Sequence, residues 1–302
     1  MHNLIHTFSL NLPSQIQFLH EDKRGVEVWC KRDDQIHPII SGNKWRKLIG
    51  FVKEFYKSNY NSIVSVGSAH SNYIHSIAYL CSKLSIPLKL YIYGHHNKEL
   101  TIVLTDLNNW KIEWEQIERI KVQELLNKYN YKSDIFFIPE GGNSECANDG
   151  LIELMNELHS DSKDNLLLIA SGTGATVKHI LHNSFHLDVM TLSPVASMRD
   201  QLKLPRLHLL GDALTLPFAA YSDELMKFIH EFYQQHGILL DPIYTSRMMY
   251  SFYKSEIKLE KYRKVTFIHS GGLQGWRSFV KRFPNCLDVV GEILIANNVI
   301  TC

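Results

Sequence analysis

The chain has 302 residues, 45% of them hydrophobic and 21% charged, enough to bury one large core or two medium ones. Its 32 Lys and Arg nearly cancel its 31 Asp and Glu, so no global field draws it to nucleic acid or an anionic membrane, and a small-molecule partner fits better. The five cysteines, Cys30, Cys81, Cys146, Cys286 and Cys302, are scattered with no pair at zinc-ligand spacing. They indicate neither a disulfide framework nor a structural metal, which suits a reducing cytosol.

The N-terminus, MHNLIHTFSLNLPSQ, lacks the basic start and long apolar run of a secretory signal, and no apolar stretch approaches the roughly 20 residues that span a bilayer. A soluble cytoplasmic protein is expected. Next, VEVWCK (26–31) reads as a strand, RDDQIHPIISG as a long loop, and the residues from Lys44 onward as a helix capped by Asn43. Trp45, Leu48, Ile49, Val52, Phe55 and Tyr56 fall on one face of that helix. Further on, NSIVSVGSAHSNYIHSIAYLCSKL, LLLIASGTGATVKHIL and KVTFIHSGGLQGW each join an apolar run to a helical pattern through a glycine or serine turn. This alternation predicts an α/β fold with parallel sheets covered by helices. In open sheets of this kind ligands sit beyond the carboxyl ends of the strands, where those turns lie. The polar stretch HSDSKDN (159–165) is expected to carry a crossing between domains.

Four stretches carry candidate chemistry. The first is HPIISGNKWRKLIGFVKEF, which places Lys44, Arg46 and Lys47 at the start of a helix. An ammonium there meets the positive end of the macrodipole, at a cost of about 0.3 to 1 kcal/mol, and the neighbouring cations repel it. Together these are expected to bring a lysine down by roughly one to two units from about 10.4. Neutral amine then becomes available for Schiff-base chemistry. The plain alternative is a solvated basic first turn.

In SVGSAHSNYIHS a strand is expected to end at Val66, Gly67 permits a sharp turn, and Ser71 and Asn72 open a helix whose free N–H groups face the ligand edge. Ordinary N-capping by Ser71 is the competing reading. GSAHS is not the G-x-S-x-G elbow of a serine hydrolase. In ASGTGAT (170–176), the small residues Ser171, Gly172, Thr173, Gly174, Ala175 and Thr176 bring backbone N–H groups together before a helix, which is how a phosphate is cradled without lysine. Neither a Walker loop nor a dinucleotide fingerprint fits these residues. The last stretches, LDPIYTSRMMYSFY and IHSGGLQGW, place Tyr244 and Thr245 before a helix and Ser270, Gly271 and Gly272 after a buried strand. A tyrosine can act as an acid near a carbanion. His70 and His75 are not at i, i+4, and His95 and His96 fall in a loop, so no metal site is predicted.

Taken together these segments resemble the family of pyridoxal-phosphate enzymes that holds 1-aminocyclopropane-1-carboxylate deaminase and D-cysteine desulfhydrase, within the tryptophan-synthase-β fold group. The likeness runs from about Val26 to Gly275. KRDD…SGNKWRKL resembles the family's G-G-N-K-x-R-K-L, whose first lysine carries the cofactor, here Lys44. HSNY resembles Q-S-N-[HQ], which implies that Ser71 faces the substrate and Asn72 the cofactor's 3-hydroxyl. IPEGGNSECANDG resembles I-P-x-G-G-S-N, SGTGAT takes the place of the phosphate loop, and Lys47 is implied to assist at the phosphate. The resemblance implies a fold-type II arrangement of two open twisted parallel sheets, with pyridoxal 5′-phosphate lying between two α/β domains. The smaller is expected at 45–150 and the larger at 1–44 plus 151–302. Family members are commonly homodimers.

The family's deaminases carry Glu immediately after the tyrosine and Leu after the histidine of H-x-G-G; this chain has Thr245 and Ser270. A carboxylate facing the pyridine nitrogen keeps the ring a full electron sink, as cyclopropane opening requires. A hydroxyl favours prompt loss of a β-leaving group. The expected reaction is therefore β-elimination from a small D-amino acid, D-cysteine giving pyruvate, ammonia and hydrogen sulfide. Lys44, Ser71 and Tyr244 are its catalytic candidates. Deamination of 1-aminocyclopropane-1-carboxylate and a non-catalytic cofactor- or amino-acid-binding role are the alternatives. A third is a different phosphorylated ligand on SGTGAT. His70, Tyr73, Ser41 and Trp45 depart from the family pattern and reshape the edge of the pocket.

Overall fold

A computed structural model describes residues 2–95, 99–129, 133–158, 163–193 and 204–301. In chain order the elements are α1 (His2–Phe8), β1 (Ile16–Asp22), β2 (Val26–Lys31), α2 (Asn43–Lys57), β3 (Ser62–Ser68), α3 (Asn72–Leu84) and β4 (Leu88–Tyr93). Next come α4 (Ile102–Asn109), β5 (Glu113–Gln116), α5 (Val122–Tyr129), β6 (Ile135–Ile138), α6 (Asn148–Glu157), β7 (Asn165–Ala170) and α7 (Ala175–Asn183). The last are β8 (Asp188–Leu192), β9 (Leu207–Leu209), α8 (Asp223–His236), α9 (Thr245–Lys254), β10 (Lys264–Ile268), α10 (Gly275–Arg282) and α11 (Leu287–Ala296). Among the described residues no helix is long and apolar enough to cross a membrane.

The chain divides into two compact units, residues 38–153 and residues 1–37 with 154–302. Lys44 thus lies inside the smaller unit. One chain crossing falls within α6, upstream of HSDSKDN, whose residues 159–162 lie outside the described residues.

In the smaller unit the strands run β5-β4-β3-β6, every pair parallel. Parallel strands must be covered on both faces, and Ile63, Val64, Val66, Leu90 and Ile92 are accordingly buried. The strand expected to end at Val66 continues to Ser68, because its ladder with β4 pairs Gly67 with Ile92 and Ser68 with Tyr93.

Two sequence expectations for α2 are corrected. Asn43 is its first residue, and the N-cap is Gly42, at φ +59° and ψ −138° with no side-chain cap bond. Such a φ suits glycine, so Gly42 is what turns the SGN segment into the helix. Trp45, Leu48, Ile49, Val52 and Phe55 are buried as expected, but Tyr56 is 59% exposed. Arg46 and Lys47 are buried instead, which rules out a solvated basic turn for these two.

In the larger unit the order is β1-β2-β10-β7-β8-β9. β2, β10, β7, β8 and β9 pair in parallel, while β1 adds an antiparallel edge hairpin to β2. The sheet is therefore parallel except at that edge. Its core gathers Val28, Cys30, Leu166, Leu168, Val265 and Phe267 with Met248, Met249 and Phe252 of α9. Burying one such Val, Leu, Phe or Met side chain is worth about 1.5 to 3 kcal/mol. The KRDD segment is also buried, and its charges are paired: Lys31 with Glu157 at 2.6 Å and Arg32 with Asp34 at 2.8 Å.

Candidate active site

In the smaller unit the candidate residues gather at the carboxyl ends of β3 and β6 and the first turn of α2. Lys44 is half-buried and Lys47 buried. The Lys47 amine donates to the Gly141 carbonyl and lies 5.9 Å from the centre of the Tyr73 ring. Burial first, and the charge of Lys44 second, bring its pKa down to about 7. A depressed lysine is thus present on this turn, at Lys47.

Gly67 is required by close packing, since a Cβ there would stand 2.6 Å from Ile74 Cγ1. Its absence lets the turn fold tightly onto α3. Ser71 caps that helix, its Oγ accepting from Tyr73 N at 3.2 Å and Ile74 N at 3.3 Å. The capping reading therefore holds, yet the hydroxyl proton is not consumed by it. Asn72 is the first residue of α3. Tyr73, one of the departures from the family pattern, is buried; Ser65 Oγ donates to Ile138 O at 2.8 Å and stands 3.1 Å from the Tyr73 hydroxyl. Since the serine proton is used there, the tyrosine is the donor in that pair. A Cβ on Gly142 would meet both Phe51 Cε2 and Tyr73 Cε2 at 3.2 Å, so the Gly141–Gly142 turn is moulded on these rings.

In the larger unit, Ser171 to Gly174 form the turn after β7, and Gly174 caps α7 at φ +78°. Ser171, Ala175 and Thr176 are buried. Tyr244 packs on this turn: a Cβ on Gly172 would be 3.7 Å from its hydroxyl. Burial first, then the charge of Asp241, raise the Tyr244 phenol to about 12, so it holds its proton at neutral pH.

Asp241 is the residue that sequence reasoning missed. Its carboxylate accepts from Ile243 N at 3.0 Å, Tyr244 N at 2.8 Å and Thr245 N at 2.7 Å, and from the Thr245 hydroxyl. Thr245 Oγ1 in turn accepts from Asp241 N at 2.8 Å. The Asp-Pro pair before a helix is a turn signature, but nothing in it tells which hydroxyl the carboxylate takes. Ser270 is buried. The preceding His269 donates from Nε2 to Leu239 O at 2.8 Å and accepts at Nδ1 from Gly271 N at 3.2 Å. This fixes a neutral imidazole that shapes the glycine turn, at φ +72° for Gly271 and +94° for Gly272.

The structure thus brings together Lys44, Lys47, Ser71 and Asn72 in one unit, and Ser171 to Thr176, Tyr244, Thr245 and Ser270 in the other. These residues fit an aldehyde-bearing phosphate ester. Each unit holds part of what such a group needs: an amine and a buried lysine in the smaller, and a turn stripped of side-chain bulk before a helix in the larger. The fold gives the class. An ACC deaminase homologue superposes with a TM-score of 0.72 at 21% identity, over 95% of this chain and 98% of that one. A pyridoxal 5′-phosphate-dependent aspartate racemase superposes with a TM-score of 0.62 at 13% identity, over 90% of this chain and 94% of that one. Two open, mainly parallel sheets in the fold-type II manner are therefore established.

Among sequences, the mitochondrial bifunctional D-cysteine desulfhydrase/1-aminocyclopropane-1-carboxylate deaminase of Arabidopsis thaliana is 26% identical, over 89% of this chain and 79% of its own length. No family model matches the chain. The resemblance read from the motifs accordingly extends along most of the molecule.

Proposed function

We propose that this protein is a pyridoxal-phosphate-dependent lyase that eliminates a β-leaving group from a small D-amino acid, D-cysteine being the best fit, to release pyruvate, ammonia and hydrogen sulfide. The observation that carries this reading is the lysine pair on the first turn of α2, Lys44 half-buried and Lys47 buried with its pKa brought down to about 7, on the same unit as the Ser71–Asn72 turn. When bound, the cofactor supplies an electron sink for the pair left by the α-proton.

Each residue then has a role set by its own chemistry. The Lys44 amine would hold the cofactor, and it is the base placed to accept the α-proton. Lys47 and the amides of residues 171–176 would hold the phosphate, and Asn72 would hold the 3-hydroxyl. Ser71 keeps its hydroxyl proton for a substrate carboxylate, because both cap bonds use its lone pairs. Tyr244 keeps a proton to give. Thr245 and Ser270 stand where a deaminase would carry Glu and Leu. This favours elimination over cyclopropane opening. A homodimer is part of the same proposal.

The test is turnover by purified protein supplied with pyridoxal 5′-phosphate. Sulfide and pyruvate from D-cysteine are expected, and Lys44→Ala should abolish both along with the yellow lysine adduct that borohydride bleaches. Release of 2-oxobutanoate from 1-aminocyclopropane-1-carboxylate with no sulfide from D-cysteine would select the deaminase reading. A protein that stays colourless and forms no reducible adduct defeats both.

A further inference from the structure

Lys47 occupies a place where a cation is hard to keep. Its side chain is 5% exposed, and among the described residues its amine has one hydrogen-bond acceptor, the neutral Gly141 carbonyl, and no carboxylate partner. Three elements face it. On α2, Lys44 lies three residues back on the same face and repels it. On α3, Tyr73 offers its ring, and burial pushes its phenol well above the usual range, so it neither gives nor takes a proton near neutrality. After β6, Glu140 adjoins Gly141, but its carboxylate already accepts from the Tyr93 hydroxyl. Lys47 therefore has a second lysine and the N–H end of a 15-residue helix near it, and among the described residues no carboxylate is bonded to its amine.

We propose that Lys47 is a proton-coupled anion receptor: it stays neutral on the Gly141 carbonyl while no anion is present, and takes up one proton from solvent when a phosphate-monoester dianion arrives. The inference rests on the cofactor reading above and adds a property that reading does not require. No bond to carbon forms or breaks; the amine becomes an ammonium, and the ligand supplies its counter-charge. The Tyr73 ring face favours the charged form, and the Ser65 bond holds that ring in place. Tyr73 is thus a positioning residue. With the free amine near 7, affinity for the dianion should fall about tenfold per pH unit above that point.

The experiment uses pyridoxine 5′-phosphate, which carries the phosphate but no aldehyde and so cannot react with Lys44. At pH 8 a phosphate monoester is already dianionic, its second pKa being about 6. Calorimetry in buffers of differing ionisation enthalpy then counts the protons that the protein takes up. About 0.9 proton per ligand is expected, from an amine titrating near 7, with an affinity about eightfold weaker at pH 8.5 than at 7.5. Lys47→Arg, charged at every working pH, should bind with no uptake and a flat profile. Tyr73→Phe should keep the uptake, and Tyr73→Leu should weaken binding while leaving pyridoxine itself unaffected.

Binding by the native protein without proton uptake overturns the inference, and that measurement needs no variant to fold. A parallel arm adds pyridoxal 5′-phosphate and reads the absorbance of the lysine adduct. An adduct without uptake sinks the proton coupling and leaves the cofactor reading standing; failure of both ligands to bind sinks both.

Discussion

Asp241 and Thr245 close a ring of hydrogen bonds at the start of α9: the threonine hydroxyl and amide donate to the carboxylate, and the aspartate amide donates to the hydroxyl. Both side chains are buried, and the ring encloses Tyr244, whose own amide binds the same carboxylate. The position of the candidate acid is thus set by a buried carboxylate three residues before it.

Asp241→Ala should therefore act twice. It strands three backbone N–H groups and a hydroxyl, each unpaired buried group costing about 1 to 3 kcal/mol, and it frees Tyr244 to move off Gly172. Urea unfolding should show a loss of several kcal/mol, and turnover should fall more than the folded fraction does. Asp241→Asn, which keeps one acceptor oxygen, should lie between the two.

Tyr244→Phe removes a proton donor while keeping the ring packed on Gly172 and 5.9 Å from Phe218. Cofactor binding should survive. General acid–base groups contribute about 10²- to 10⁴-fold, so a fall in kcat within that range is expected. Because its phenol titrates near 12, Tyr244 should add no ionisation to the pH–rate profile below about 10; loss of a limb at neutral pH in the Phe variant would contradict the assignment.

Lys47 also makes stability depend on pH. Its ordinary value is 10.5 and its folded value about 7, so between these limits the unfolded chain binds more protons, and native stability rises with pH. The penalty is fully present below pH 7 and fades toward pH 10.5. Cofactor-free Lys47→Met should be more stable than the native protein at pH 6, and denaturation midpoints should converge by pH 10. A gap that widens with pH would reverse the sign and refute the buried neutral amine.

Two glycines test the packing of α2. A Cβ at Gly50 would stand 1.6 Å from Cys146 O, and one at Gly150 would stand 2.0 Å from Arg46 O. Both neighbours are backbone, so neither can swing aside. Alanine at either position should destabilise at or above the top of the 1 to 3 kcal/mol range for overpacked sites. Gly275, on α10 with open space and no left-handed backbone, should accept alanine with a gain of up to about 1 kcal/mol. Thermal melting of the three variants checks the order.

Much of the architecture was legible from local pattern. The strand at VEVWCK, the turn after LLLIA, the capping by Ser71 and the apolar face of α2 follow from side-chain period and turn chemistry, which act over a few residues. The antiparallel β1 was not read, because IQFLHED shows no clean alternation; its residues are mostly half-buried at a sheet edge. Tyr56 satisfied the helical period yet points outward, since periodicity names a face but not where its cover ends.

By itself the sequence determined which residues bear the chemistry and in what order: a lysine on a first turn, a serine and asparagine at a helix start, a glycine-rich bend, a tyrosine before a helix. Tertiary structure alone decided their electrical state. Lys47 became the depressed amine because the Gly141 turn and Tyr73 close over it. The physical reason is that desolvation and hydrogen-bond partnership depend on what chain folding brings near, often from 90 residues away or more, as between Lys47 and Gly141, and no local pattern encodes that distance.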